Sequence, residues 1–120
     1  MPGYKYGELT WKIIGAAIEG HKEMKNGFQE VIYQRSLAIE MKKAGLQFER
    51  AYEMPVFYKE HIVGTRRVDF FVEGVVMVEI KALIGLEDVH LAQAKNYLEV
   101  YNLEVGLLLN FGSPSLQYRR

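Results

Sequence analysis

Apolar residues recur at helical spacing in three stretches of the chain. In the first stretch Leu9, Ile13 and Ala17 are four residues apart, which predicts a helix over about residues 8–25. The Asn26-Gly27 pair that follows is typical of a turn and ends this helix. Another helix is predicted over about residues 87–101, so two helices open the chain and one lies near its end.

The second helix is predicted over about residues 28–44, with Gly45 as its C-terminal cap. Its buried face is marked by residues at helical spacing: Tyr33, Leu37, Met41 and Ala44. Glu30 lies three residues before Tyr33 and extends the same face. A carboxylate on an apolar face needs a partner, because burying it unpaired is costly. Glu30 is therefore either a member of a polar site or a salt-bridged residue at the rim, and the pattern leaves both open.

The chain between the second and third helices reads as strands. Residues 47–58 alternate between apolar and polar side chains, and residues 59–64 are the predicted turn. Two strands follow over residues 66–72 and 75–83, and residues 104–110 predict a buried strand after the third helix. The tail adds a short edge strand. This order of elements predicts an α/β fold with a mixed central β-sheet flanked by helices.

The apolar residues of the central hairpin determine its register. A three-residue turn at residues 73–75 pairs Val72 with Val76 and sets Asp69 opposite Glu79. It also gathers the apolar residues on one face: Val68, Phe70, Val72, Val76, Val78, Ile80 and Ala82. A two-residue turn would split this set between two faces. Because each buried apolar side chain contributes roughly 1.5–3 kcal/mol, we predict the three-residue turn.

The predicted register brings together groups that suit a metal ion. Asp69 and Glu79 repel each other, and Lys81 alone neutralises their charge only in part. The same register predicts Arg67 opposite Lys81. Mg²⁺ takes oxygen ligands, commonly one or two carboxylates with water and phosphate oxygens. The backbone carbonyl of Ile80 offers another oxygen. On spacing alone, a solvated hairpin face with cross-strand ion pairs explains the same residues.

Length, net charge and cysteine content limit the number of domains, the partners and the kinds of site that the chain can have. A chain of 120 residues predicts one domain over residues 1–120. Fifteen Lys and Arg balance fifteen Asp and Glu, so net charge gives no sign of standing affinity for nucleic acid. The absence of cysteine excludes disulfides and thiolate metal sites. The N-terminal residues lack the apolar stretch of a signal peptide, and no apolar run is long enough to span a bilayer, so we expect a cytoplasmic protein.

Two motifs support a resemblance to a known family. Residues 27–33 read G-x-x-E-x-x-Y, and Asp69 is followed after nine residues by Glu79-Ile80-Lys81. The chain resembles the GxxExxY family of the PD-(D/E)xK nuclease superfamily, although Arg67-Val68 stands where the superfamily name has proline. The likeness extends along nearly the whole chain and implies a restriction-endonuclease-like core. The other matching segments are residues 8–10, 13–19, 67–69, 78–82, 93–98 and 106–111.

The resemblance implies a catalytic role for four side chains. Asp69 and Glu79 match the metal-ligating pair, with the Ile80 carbonyl as a further ligand. Glu30 matches the helical acid that joins the metal directly or through water. Lys81 matches the lysine that orients the attacking water or stabilises the charge on the phosphorane.

Three further residues are implied to position the substrate. Gln93 and Tyr97 are four residues apart on one helix face and are similar to the Q-x-x-x-Y motif of related nucleases. Tyr33 is the third residue of this set. His90 lies one turn before Gln93 and could reach the site, although a core or surface histidine is the favoured interpretation.

The implied function is Mg²⁺-dependent hydrolysis of phosphodiester bonds in nucleic acid, DNA rather than RNA, with Mn²⁺ as an alternative ion. A module that keeps the fold but binds nucleic acid or a protein without cleaving remains open, and the neutral net charge favours it. The sequence leaves the oligomeric state open: a homodimer would be a common way for a small nuclease to cut two strands, and an unknown protein partner is the other possibility.

Overall fold

The computed structural model of the chain describes residues 5–120. Residues 1–4 belong to the N-terminal segment interpreted above as lacking a signal peptide, and they lie outside this range. Three helices and five strands occur within the described range: α1 (Gly7–Met24), α2 (Glu30–Lys43), β1 (Phe48–Tyr58), β2 (His61–Val72), β3 (Val76–Lys81), α3 (Asp88–Val100), β4 (Val105–Asn110) and β5 (Gln117–Arg119). No helix among them is long and apolar enough to span a membrane.

The strands form one sheet in the order β1-β2-β3-β4-β5. Neighbouring strands are antiparallel except β3 and β4, which are parallel and are connected by α3. A parallel pair needs such a crossover, because a short turn cannot return the chain to the same end of the sheet. The predicted mixed sheet flanked by helices is confirmed, and the tail forms the predicted edge strand.

The first hairpin is longer than its sequence predicts. The turn expected over residues 59–64 is wrong, because β2 begins at His61 and only Lys59 and Glu60 connect the strands. Lys59 supplies the left-handed residue with a φ of 55°. Gly64 was interpreted as part of the turn, but it pairs with Val56 inside the ladder. A glycine is tolerated here because no packed side chain is needed at an exposed strand position.

The central hairpin has the predicted register. Val72 pairs with Val76, and the turn between them contains Glu73 and Gly74 at φ values of 53° and 70°. The pairing of β2 with β3 covers only the residues from Phe70–Val78 to Val72–Val76. The predicted pairs of Asp69 with Glu79 and of Arg67 with Lys81 therefore lie beyond this ladder. Their side chains have other partners, which are described below.

Helices α1 and α2 cover one face of the sheet. The buried core joins four helical residues to five of the seven apolar hairpin residues: Ile13, Tyr33, Leu37, Met41, Phe70, Val72, Val76, Val78 and Ile80. Ala44 was expected on the buried face, but it is exposed because α2 ends at Lys43. Gly45 caps the helix at a φ of 78° and donates to the Lys42 carbonyl, as its position predicts.

Helix α3 packs on the opposite face of the sheet. Leu98 lies so close to Gly106 on β4 that an added Cβ would approach its Cδ2 to 2.9 Å. Met77, buried on β3, and Leu91 of α3 line a crevice between this helix and the sheet. The close approach brings the N-terminal half of α3 over the end of β3, where the candidate site lies.

Candidate active site

Asp69 lies where the ladder between β2 and β3 ends, and both of its carboxylate oxygens accept hydrogen bonds. Its Oδ2 accepts from the backbone N–H of Ile80 at 2.7 Å, and its Oδ1 accepts from Gln34 Nε2 at 2.8 Å. The first bond takes the place of a backbone pair between the two strands. The second connects the strand to α2, so Asp69 is held from both the sheet and a helix.

The Ile80 bond also orients a neighbouring carbonyl. In a β-strand the N–H and C=O of one residue point toward the same neighbouring strand. Since the N–H of Ile80 points to Asp69 on β2, its carbonyl oxygen faces that side as well. The next carbonyl, that of Lys81, accepts from Phe111 N–H at 2.9 Å and so points toward β4. This alternation places the Ile80 carbonyl oxygen at the same edge as the Asp69 carboxylate.

Glu79 is buried close enough to Asp69 for the two carboxylates to repel each other. Its exposed fraction is 7%, and its Oε1 forms an ion pair with Arg66 Nη2 at 3.1 Å. Burial raises the pKa of Glu79 to about 7, with a further contribution from the charge of Asp69. Arg66 and Lys81 oppose this rise. The site therefore favours a proton or another cation beside Glu79.

Lys81 follows Glu79 on β3 and lines a small cleft under α3. Its Cα is paired with that of Asn110 on β4. The Asn110 side chain is fully buried and forms four hydrogen bonds to Leu83 N–H and C=O, Gly112 N–H and Gln117 Oε1. These bonds fix the chain that leaves β3, so the end of the strand carrying Lys81 is rigidly supported.

Helix α3 contributes the two residues that its Q-x-x-x-Y motif implies. Gln93 and Tyr97 line the same cleft as Glu79 and Lys81. His90 also lines the cleft, which is the alternative that the sequence interpretation kept open but did not favour. Its Nδ1 accepts from Glu87 N–H at 2.9 Å in the capping box of α3. A neutral His90 ring therefore carries its proton on Nε2, which remains as a donor.

The two residues taken from the G-x-x-E-x-x-Y motif lie in different environments, one exposed and one buried. Glu30 is the first residue of α2 and is exposed, so it is not the buried acid that helical spacing allowed. Tyr33 is fully buried; its hydroxyl donates to Lys25 O at 2.6 Å and accepts from Phe28 N–H at 3.1 Å. These bonds tie Tyr33 to the turn between α1 and α2, which is a structural role.

Two polar residues of the site were missed by sequence reasoning. Gln34 is four residues after Glu30 and shares its helix face, which is the only signal that could have placed it near the acids. Nothing in the sequence pattern placed Arg66 in the site, because alternation along β2 would put its side chain on the apolar face with Val68. Arg67, which was predicted opposite Lys81, instead forms an ion pair with Glu53 on β1 at 3.0 Å.

The chemistry of the donor atoms suits a hard divalent cation. Asp69, Glu79 and the Ile80 carbonyl offer only oxygen, which favours Mg²⁺ or Mn²⁺ over softer ions. Within residues 5–120, no three His, Cys, Asp or Glu side chains gather into a group that could hold a metal ion. Glu30 therefore does not complete a three-carboxylate cage. Two carboxylates with water and substrate phosphates are nevertheless a common set for Mg²⁺.

Comparison with known protein families decides the classification. The sequence profile of the PD-(D/E)XK nuclease superfamily matches residues 7–120. The chain belongs to the PD-(D/E)XK nuclease superfamily. The helices and mixed sheet fit the restriction-endonuclease-like core of this superfamily. No curated protein and no solved structure showed significant similarity to the chain. Assignment to the GxxExxY family stays a prediction from the motif at residues 27–33.

Within the PD-(D/E)XK superfamily the letters of the name correspond to residues already described. Asp69 and the segment Glu79-Ile80-Lys81 on β3 match the letters of the motif, and their catalytic role stays a prediction. The superfamily name implies a nuclease and hence a nucleic-acid substrate. Asp69 and Glu79 both lie just beyond the point where the β2–β3 ladder ends.

Proposed function

We propose that this protein is a divalent-metal-dependent nuclease that hydrolyses phosphodiester bonds, with Asp69, Glu79 and the Ile80 carbonyl as metal ligands. The observation that carries the proposal is the convergence of these oxygen atoms where the β2–β3 ladder ends. Glu79 is buried there close to a second carboxylate, and its pKa stays raised to about 7 despite Arg66 and Lys81, so a further cation would stabilise its charged form. Mg²⁺ is the proposed ion, with Mn²⁺ as a substitute. Glu30 would contribute through water, because within residues 5–120 no third carboxylate is grouped with Asp69 and Glu79.

The side chains have separate tasks in this reaction. A divalent ion supplies a Lewis acid that lowers the pKa of water and neutralises charge on phosphoryl oxygens. Gln34 holds Asp69 in place through its 2.8 Å bond to Oδ1. Lys81 lies beside the acids and donates to the attacking water or to the phosphoryl group. Gln93 and Tyr97 border the cleft on the α3 side and contact the nucleic acid next to the scissile bond.

The proposed substrate is DNA rather than RNA, and the proposed unit is a single domain that includes residues 7–120. The match of the superfamily profile to this whole range supports a single unit. The neutral net charge predicts weak binding in the absence of metal, because few counterions are released from the phosphates. A bound divalent ion would raise the local positive charge. Binding of nucleic acid is therefore expected to depend on the metal.

The test is a cleavage assay with defined substrates. Circular single-stranded DNA, supercoiled duplex and a structured RNA are each incubated with the protein in Mg²⁺, Mn²⁺ or EDTA. Asp69→Asn serves as the inactive variant, and Glu53→Gln is the matched control because Glu53 is an exposed acid on the same sheet. We expect metal-dependent cutting by the wild type and Glu53→Gln and none by Asp69→Asn.

Other outcomes would change the proposal. Cutting that persists in Asp69→Asn would indicate a contaminating nuclease. If folded protein binds a substrate but never cuts it, the function is the non-cleaving binding module that the sequence left open. Thermal melts of each variant accompany the assay, since unfolding of Asp69→Asn would make its lost activity uninformative. In that event Lys81→Met, which removes a partly exposed ammonium, replaces it.

A further inference from the structure

Arg66 is the cation that contacts Glu79, one of the proposed metal ligands. Its Nη2 lies 3.1 Å from Glu79 Oε1, and its guanidinium carbon lies 3.4 Å from the centroid of the Tyr97 ring. The side chain is 26% exposed, so water reaches part of it. Arg66 therefore connects the end of β3 to α3 through one ion pair and one stacking contact.

The hydrogen bonds of Arg66 are incomplete in this position. Its Nε is buried and has no hydrogen-bond partner within the described part of the chain. A guanidinium has five N–H donors in a planar fork, and it binds a carboxylate or phosphate best through two parallel bonds. Only one bond to Glu79 is formed here. The arginine therefore has donor capacity left for a second anionic group.

The cleft that contains Arg66 is lined mainly by hydrogen-bond donors. Lys81 carries an ammonium, Gln93 an amide, and the neutral His90 ring has its free N–H on Nε2. Glu79 is the only acid among the residues that line this cleft. If a divalent ion neutralised Glu79, the remaining groups would form a site for an oxyanion. A phosphate group of the nucleic-acid chain has the negative charge and the acceptor oxygens that such a set of donors binds.

We propose that Arg66 is a phosphate-binding residue that neutralises Glu79 until a metal ion displaces it, and then binds a phosphate of the nucleic acid in the cleft under α3. The proposal rests on the nuclease function proposed above. Arg66 and the metal ion carry the same sign of charge, so they compete for one carboxylate. Tyr97 keeps the guanidinium within the cleft by stacking, whether or not it is bound to Glu79.

The neighbouring arginine provides a matched control. Arg67 has the same charge, is next in sequence, and forms its ion pair with the exposed Glu53 on β1. Arg67→Gln thus removes one positive charge from the same strand without touching Glu79. Arg66→Lys is the second variant; it keeps the charge but loses the planar fork that binds a phosphate through two bonds.

The first measurement is Mn²⁺ binding by calorimetry without any substrate. Arg66→Gln is expected to bind Mn²⁺ more tightly on the order of tenfold, because the ion no longer displaces a hydrogen-bonded partner of Glu79. Arg67→Gln should bind Mn²⁺ as the wild type does. Equal Mn²⁺ affinity in Arg66→Gln and the wild type would overturn the proposal while leaving the nuclease function intact. Failure of the wild type to bind Mn²⁺ would overturn both.

The second measurement is binding of a single-stranded oligonucleotide in Ca²⁺ over a range of salt concentrations. Loss of one phosphate contact should reduce the slope of log K against log salt by about 0.7 for Arg66→Gln. Arg66→Lys should keep most of the slope but bind more weakly. An unchanged slope in Arg66→Gln would overturn the phosphate role. Thermal melts in EDTA confirm that each variant is folded before either measurement is interpreted.

Discussion

Substituting Glu79 with glutamine should make the stability of the metal-free protein less dependent on pH. In the folded state the pKa of Glu79 is raised from 4.5 to about 7, first by burial and then by Asp69. Each pKa unit corresponds to about 1.4 kcal/mol, so ionising this group in the folded protein costs up to about 3 kcal/mol. Glutamine has nearly the same shape and cannot ionise.

The direction in which stability changes with pH follows from comparing the protonation of Glu79 in the folded and unfolded states. Between pH 4.5 and about 7 the folded protein holds a proton on Glu79 that the unfolded chain has released. Stability therefore falls as pH rises through this window, and the full loss is present above pH 7. Other groups also titrate, so the useful quantity is the difference in unfolding free energy between Glu79→Gln and wild type. That difference should move in favour of the variant by about 3 kcal/mol across the window.

Urea unfolding in EDTA, followed by circular dichroism at pH 4.5, 5.5, 6.5 and 7.5, measures this difference. Glu53→Gln controls for the loss of one carboxylate, since its side chain is 55% exposed. Saturating Mg²⁺ at pH 7.5 should restore stability to the wild type but much less to Glu79→Gln. Parallel pH profiles of stability for wild type and Glu79→Gln would refute the reasoning, because they would mean that the pKa of Glu79 is not raised in the metal-free folded protein.

Further predictions concern the residues that support the site. Gln34→Leu should weaken Mn²⁺ binding about tenfold in calorimetry by freeing Asp69, and unchanged affinity would exclude this supporting role. Asn110→Ala removes four hydrogen bonds and should lower the unfolding free energy by about 3 kcal/mol in urea titrations; a loss below about 1 kcal/mol would contradict it. Gly112→Ala should destabilise at least as much, since its Cβ would clash with the backbone N and O of Leu83, whereas Gly15→Ala, with open space, should stabilise by about 0.5–1 kcal/mol. If Gly112→Ala melted at a higher temperature than Gly15→Ala, the packing described around Gly112 would be wrong.

The sequence predicts those parts of the fold that depend on periodic burial. The apolar set of the central hairpin required one register, and Val72 pairs with Val76 as that register demands. The helical spacing of Gln93 and Tyr97 correctly put both on the side of α3 that lines the cleft. In a regular helix or strand, side chains at the period of the element point to the same side, so their spacing in the sequence predicts which face they share.

The remaining parts of the site depend on where a regular element stops. The register would have continued to Asp69 and Glu79, but the ladder between β2 and β3 ends at Phe70 and Val78. Beyond that point alternation no longer describes the side chains, and Arg66 reaches Glu79 without any sign in the pattern. The exposure of Glu30 has a similar cause, since α2 begins at that residue and its first turn extends past the core.

Asp69 connects the fold and the proposed chemistry in a way that governs how variants must be chosen. Its Oδ2 accepts the Ile80 N–H that would otherwise need a backbone partner, so the carboxylate is both part of the sheet and a proposed metal ligand. Alanine at this position would remove both functions, leaving a backbone N–H without its acceptor, and lost activity would then be ambiguous. Asparagine keeps an oxygen that accepts the same N–H but lacks the negative charge. The Asp69→Asn variant therefore separates the need for a charged ligand from the need for an intact strand end.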